Sequence, residues 1–379
     1  MRPESPIYVA GIGTTELRRG RHSDDVGMVI ASCRAALDDA GISPGRVTGL
    51  NVQSHHAPGP DVAASARGIG LKHITWAPEG GIGVPGLSAA SEAILRGRAD
   101  AVLVCKVMNT AAAVNQPTVD PQTRLVHGRD QFELPYGIGY TVQRAALAQR
   151  RWMASRGVMP EQLGTLCVVQ REHAMLNGNA IFRTPLTLEE YLGSRLICEP
   201  IRLYDCDYPV NGAFAYLLTR DRSLAEGSGA AVAVRGWTAG GADDMPHIRH
   251  EFAPGIRPDV AQLYDELGIG ARHLSALMFY DGFSYLAAEW FERAGIVPAG
   301  EVGEYLGEPG NLRWTGRTPL NTHGGQLSEG RMHAAGHLLE AVRQLRGTAD
   351  HRQVEGASFV AVSTAFPSTG ALAVLERVA

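Results

Sequence analysis

Two segments hold most of the residues able to move protons or hold developing charge. In 279–284 (FYDGFS), Tyr280 and Asp281 follow an apolar run and precede a break at Gly282. Strand ends in α/β proteins commonly present catalytic groups, and a phenol transfers a proton when its pKa is lowered or it is hydrogen-bonded. Tyr280 reads either as such a group or as a packed aromatic. The second segment carries Asn321, His323, Gly324, Gly325, Arg331, His333 and His337. An Asn side chain orients water or donates to enolate charge, and paired glycines let backbone approach closely. The same four residues from Asn321 to Gly325 also make an ordinary tight turn with a polar cap. His333 has a pKa suited to proton transfer near neutrality, and equally a position from which to cap the next helix. His337 lies one turn further on the same face. Arg331 is permanently charged, so it is no base, but it suits a carboxylate, a phosphate or an enolate oxygen.

Other reactive residues are more isolated. Cys206 stands with Asp207 and Tyr208 but has no histidine beside it, and burial is the usual state of a free cysteine. Tyr136, in Pro-Tyr-Gly, either lines a pocket or packs a turn, and Glu79 precedes a glycine pair. The five cysteines show no CxxC pairing, which argues for reduced thiols in the cytoplasm and against a zinc site. No metal ligand set is expected.

The elements that must position these residues follow from hydropathy. The 379 residues are 45% hydrophobic and 20% charged, an ordinary globular composition, with a formal net charge of −4. Basic residues are scattered, so nucleic acid is not an expected partner. No apolar run reaches the roughly 20 residues of a membrane span, and the short polar N-terminus is unlike a signal peptide. Strand-like runs occur at 7–13, 101–107, 213–219, 231–237, 275–280, 358–364 and 371–376, with helical patterns between several of them. Near-continuous apolar strands alternating with helices predict an α/β fold with covered sheets. The helix–strand stretch 91–104, after a glycine-rich loop at 79–86, is echoed by 338–364 after the loop at 324–330, which suggests a duplicated domain. A helical insertion over about 109–206 lies between the halves, where it covers a site or makes an oligomer contact. The expected division is 1–220, including that insertion, and 221–379.

Over nearly its whole length the chain resembles the thiolase superfamily, and within it the sterol-carrier-protein-thiolase-like branch. The resemblance is carried by 171–219, by 279–296 with 300–306, and by 321–347, in that order and spacing. It implies the thiolase fold, with two similar βαβ-type halves in an α/β/α/β/α arrangement and an inserted helical loop domain in the first half. It also implies a homodimer, and a small partner of OB-fold and zinc-ribbon type.

The family's nucleophilic cysteine would fall near Ile82, its Gly-His-Pro histidine at Arg331, and its C-terminal cysteine near 363–370; all three are missing. Thiolysis needs a thiolate at a helix N-terminus, so a different reaction is expected. Non-thiolytic members of this branch, the steroid side-chain-cleaving aldolases, use tyrosines in place of the cysteine–histidine machinery, although one such tyrosine falls at Arg331. The expectation is therefore a retro-aldol carbon–carbon lyase acting on a β-hydroxyacyl-CoA, with a steroid or other bulky side chain. Tyr280 or His333 would be the base, with Asn321, His323 and Asp281 in the catalytic set. Arg331, Gly324, Gly325, Tyr136 and Ile82 would line the substrate site, and coenzyme A would enter only as part of the substrate. The alternatives are an acyltransferase with a displaced cysteine, Cys206 or Cys105, and a non-catalytic subunit of a hetero-oligomer.

Overall fold

The computed structural model describes residues 5–20, 24–54, 59–78, 81, 83–109, 128, 130–226, 229–240 and 254–378. Its strands are β1 (Ile7–Thr14), β2 (Gly49–Gln53), β3 (Ala101–Asn109), β6 (Asn211–Thr219), β7 (Ala231–Trp237), β8 (Ala276–Met278), β9 (Phe359–Thr364) and β10 (Ala371–Val378), with a separate small pair, β4 (Leu196–Cys198) and β5 (Ile201–Arg202). The eight form one sheet in the order β2-β3-β6-β1-β7-β10-β9-β8. The two sets of four repeat one plan. β2 runs parallel to β3, β3 antiparallel to β6, and β6 antiparallel to β1. Likewise β8 runs parallel to β9, β9 antiparallel to β10, and β10 antiparallel to β7. The sets join through the antiparallel pair β1–β7.

The helices before the first join are α1 (Asp25–Ala40), α2 (Val62–Ile69), α3 (Val84–Leu95), α4 (Asp130–Glu133), α5 (Thr141–Arg156), α6 (Pro160–Met175), α7 (Leu188–Gly193) and α8 (Arg222–Ala225). After it come α9 (Pro258–Leu267), α10 (Ser284–Arg293), α11 (Val302–Gly307), α12 (Pro309–Leu312), α13 (Gly325–Ser328) and α14 (Ala335–Arg346). Their ends follow local chemistry. Asp24 caps α1 by accepting from Gly27 N at 2.7 Å, and Gly41 closes it in the left-handed region.

Three apolar clusters give the layers. α1 packs on one face of the first strand set through Val29, Cys33 and Leu37. α3 and α14 fill the middle, where Leu87, Ile94, Leu338 and Leu339 meet strands of both sets. α6, α9 and α10 cover the outer face of the second set through Leu166, Leu263 and Trp290. Each large apolar side chain so buried contributes roughly 1.5–3 kcal/mol. The result is the expected α/β/α/β/α layering. Among the described residues no helix is long and apolar enough to cross a membrane.

Within the middle layer α14 is buried on its polar face too, and Glu340, Gln344 and Arg346 there are hydrogen-bonded. Glu340 accepts from Arg352 at 3.0 and 3.1 Å and from Thr322 at 2.8 Å. Arg346 reaches across the halves to Asp39 at 2.7 Å and to the carbonyl of Ala10 at 2.9 Å. The Thr322 bond anchors the loop that carries Asn321 and His323.

Candidate active site

β8 delivers Tyr280 and Asp281. The Tyr280 amide donates to Ser363 Oγ at 2.9 Å, tying the strand end to β9. A Cβ at Gly282 would lie 2.8 Å from the Tyr280 ring and 3.0 Å from its hydroxyl, so the missing side chain is what lets the phenol fold back over the turn. Burial, with the Asp207 carboxylate second, raises the phenol's pKa, and the Arg331 guanidinium opposes the rise. Asp281 is fully buried and is spent on structure: it accepts from Gln326 N at 2.9 Å and Leu327 N at 3.3 Å, capping the start of α13. His337 Nε2 lies 3.0 Å from Asp281 Oδ1, in a direction too far off line for a hydrogen bond.

The Asn321–Gly325 turn borders the end of β8. Asn321 adopts φ 45°, and its Nδ2 donates to the carbonyl of Phe279 at 2.8 Å. That bond holds β8 in place and uses one of the two amide hydrogens. The Gly324 amide is likewise committed, to the Asn321 carbonyl at 2.8 Å. The glycines are there for packing: a Cβ at Gly324 would meet Ala174 of α6 at 2.5 Å, and one at Gly325 would meet Asp281 Oδ2 at 2.0 Å. His323 is fully buried, its ring edge-on to His337 at 4.7 Å and its Nε2 3.8 Å from Glu329 Oε2. Burial, then the neighbouring His337, pulls the His323 pKa well down, while burial pushes Glu329 up to about 7. Asn177 secures Glu329 at 2.9 Å. These groups form a buried polar layer.

Arg331 is where charge is concentrated. Its Nε and Nη2 both donate to Asp207 Oδ1, at 2.8 and 2.5 Å, and its amide donates to the Tyr208 carbonyl at 2.8 Å. Asp207 is nearly buried, and burial lifts its pKa against the pull of Arg331. His333 and Ala334 both take left-handed backbone, φ 47° and 66°, so His333 does not cap α14 in the usual extended conformation. A Cβ at Gly83 would lie 3.2 Å from that of Ala334 and 2.4 Å from Thr364 Oγ1, which also accepts from Val84 N at 2.8 Å. The His333 loop therefore borders the first turn of α3.

Tyr136 is 83% exposed and lines no buried pocket in the single chain. Ile82 and Glu79 lie outside the described residues. Among the described residues no cysteine sits at the start of a helix facing this site. Cys105 contacts Ser32 inside the first half, Cys167 lies within α6, and Cys206 follows a short 3-10 turn with its thiol raised by burial. Among the described residues no three His, Cys, Asp or Glu side chains converge as a metal site. Spacing gives no sign of Glu329, or of Lys106 on β3, which is 2% exposed.

Residues 253–376 match the family described as thiolase C-terminal domain-like. The chain is 29% identical to a steroid side-chain-cleaving aldolase of Thermomonospora curvata, over 97% of this chain and 98% of that one. It is also 29% identical to a 17-hydroxy-3-oxo-4-pregnene-20-carboxyl-CoA lyase of Mycobacterium tuberculosis, over 96% and 97%. The solved Ltp2-ChsH2(DUF35) aldolase superposes with a TM-score of 0.87 at 28% identity, covering 99% and 98% of the two chains. Human mitochondrial 3-ketoacyl-CoA thiolase shares the fold, with a TM-score of 0.69 at 14% identity over 99% of both chains. The chain thus has the thiolase fold, matches the thiolase C-terminal domain-like family over 253–376, and is similar over its full length to a steroid side-chain-cleaving aldolase and a steroid acyl-CoA lyase.

Proposed function

We propose that the chain is a carbon–carbon lyase that cleaves a β-hydroxyacyl-CoA by retro-aldol chemistry. The observation that carries this reading is the Tyr280 phenol set beside the Arg331–Asp207 ion pair, in a fold whose five thiols are all packed away from a helix start. Tyr280 takes the β-hydroxyl proton, the Cα–Cβ bond opens, and its electron pair moves onto the thioester as an enolate. The β-carbon leaves as a ketone or aldehyde, and the enolate is reprotonated at Cα. Arg331 opposes the rise that burial gives the phenol's pKa and supplies positive charge near it. The reaction balances without a redox partner or a metal. It consumes no free coenzyme A.

The substrate reading rests on the relatives. In a 17-hydroxy-pregnene-20-carboxyl thioester the hydroxyl is β to the thioester carbonyl and the carbon that carries it is part of a ring, so a bulky cyclic β-hydroxyacyl group is the proposed class. A hetero-oligomer with a small partner of OB-fold and zinc-ribbon type, built on a homodimer of this chain, is proposed on the likeness to the Ltp2-ChsH2(DUF35) aldolase. The test is cleavage of such a thioester by the purified chain with that partner supplied, with and without free coenzyme A. Ketone release without the thiol supports the lyase. Release only with the thiol restores thiolysis.

A further inference from the structure

β2 and β3 carry a row of polar side chains into the middle apolar layer. Lys106 is 2% exposed and its Nζ has no hydrogen-bond partner. Its register partner on β2 is Gln53, 3% exposed, whose Nε2 is also unpaired. Two residues back, Asn51 is fully buried with both amide atoms unpaired. Register partners and next-but-one residues share a sheet face, so the three amide and ammonium groups face the same way. They face the first turn of α3: a Cβ at Gly86 would lie 1.9 Å from Gln53 Nε2. Leaving such groups unpaired costs stability at each, and a lysine so placed points to an oxygen-bearing ligand.

We infer that Lys106 and Gln53, with the first turn of α3, form the binding site for the thioester oxygen of the substrate, on which the enolate charge develops. The inference rests on the lyase reading and adds to it a charged donor for the enolate oxygen. The Lys106 ammonium and the Gln53 amide donate to that oxygen, and the dipole of the twelve-residue α3 favours its charge. Across α3, Thr364 holds Val84 N, and its chain neighbour Ser363 holds Tyr280 N, so the same turn stands between the oxygen site and the base. Burial lowers the Lys106 pKa to about 8, opposed by Cys105. The titratable groups on the flanking strands are Cys105 and Tyr216, whose phenol is raised by burial; α3 offers only Glu92, half-exposed and paired with Arg96. Among the described residues no carboxylate neutralises the ammonium.

The test is Lys106→Met, assayed by calorimetric binding of propionyl-CoA from pH 7 to 9.5, by thermal melting, and by β-hydroxyacyl-CoA cleavage with the partner supplied. The wild type is expected to bind propionyl-CoA about tenfold more weakly at the top of that range, as the ammonium loses its proton. The lysine's contribution to kcat/KM should be full below about 8 and be lost as pH rises through that value. Lys106→Met should melt like the wild type, bind weakly at every pH, and lose about 10²–10³-fold in cleavage. Equal binding and cleavage with an unchanged pH profile overturns the inference. A wild type that cleaves nothing, yet binds with this pH dependence and loses it in Lys106→Met, sinks the lyase reading and leaves the oxygen site standing. If Lys106→Met fails to fold, the wild-type binding series decides: affinity flat with pH overturns the proposal.

Discussion

Arg331 places both Nε and Nη2 on a single oxygen of Asp207, at 2.8 and 2.5 Å, across 124 residues of sequence. Asp207 is nearly buried and Arg331 partly exposed. Removing the arginine alone strands a buried carboxylate, an arrangement that costs about 3–5 kcal/mol. Arg331→Met should therefore lower the melting temperature and the cleavage rate together. Arg331→Met with Asp207→Asn should recover most of the stability and none of the rate. Recovery of both would mean that the pair only holds the fold.

Tyr280→Phe removes the hydroxyl and keeps the ring. We expect kcat to fall by about 10²–10⁴-fold, the range for a lost acid–base group, with KM and melting temperature nearly unchanged. Gly282→Ala should give a milder loss by pushing the phenol from its place, since the new Cβ would meet the ring at 2.8 Å. Steady-state kinetics on both variants checks this. Full activity in Tyr280→Phe would pass the base role to His333.

Stability should depend on pH through Glu329. Its pKa is raised by burial to about 7 from 4.5, so the folded state holds a proton that the unfolded state releases. The stabilisation is complete below about 4.5 and is lost as pH rises through about 7, a swing of roughly 3 kcal/mol at most. Glu329→Gln keeps an acceptor for Asn177 and should flatten this slope. Denaturant melts at pH 5, 6, 7 and 8 would reveal it. Parallel slopes in wild type and variant would reject it.

Cys206→Ala should leave cleavage within about twofold, because burial holds the thiol protonated. A loss of a hundredfold or more would mark a displaced nucleophile and restore the acyltransferase alternative.

Much of the architecture is legible in the chain. The apolar runs at 101–107, 213–219, 231–237, 358–364 and 371–376 all form strands, and the echoed helix–strand stretches are α3–β3 and α14–β9. β2 is hidden because Asn51 and Gln53 interrupt its apolar pattern, and those same residues belong to the proposed oxygen site. Within the proposed active site, Tyr280 and Arg331 are candidates from their place in two motifs. Their surroundings are not legible, since Arg331–Asp207 and Glu329–Asn177 join segments more than a hundred residues apart, beyond what spacing records. At Asn321 the sequence shows a donor, but not that the Phe279 carbonyl takes one of its two hydrogens.

The join of the two strand sets has a temporal meaning. β1 finds its partners only in β6, near residue 215, and β7, near residue 233. A nascent chain leaving the ribosome must hold its first strand open while some 200 residues follow, and such waiting edges are prone to aggregate. α6, made in the first half, then lies against a turn at 321–325 that does not yet exist. Catalytic competence is thus among the last things the growing polypeptide acquires, and a chain stalled after its first half would be folded in part and chemically silent.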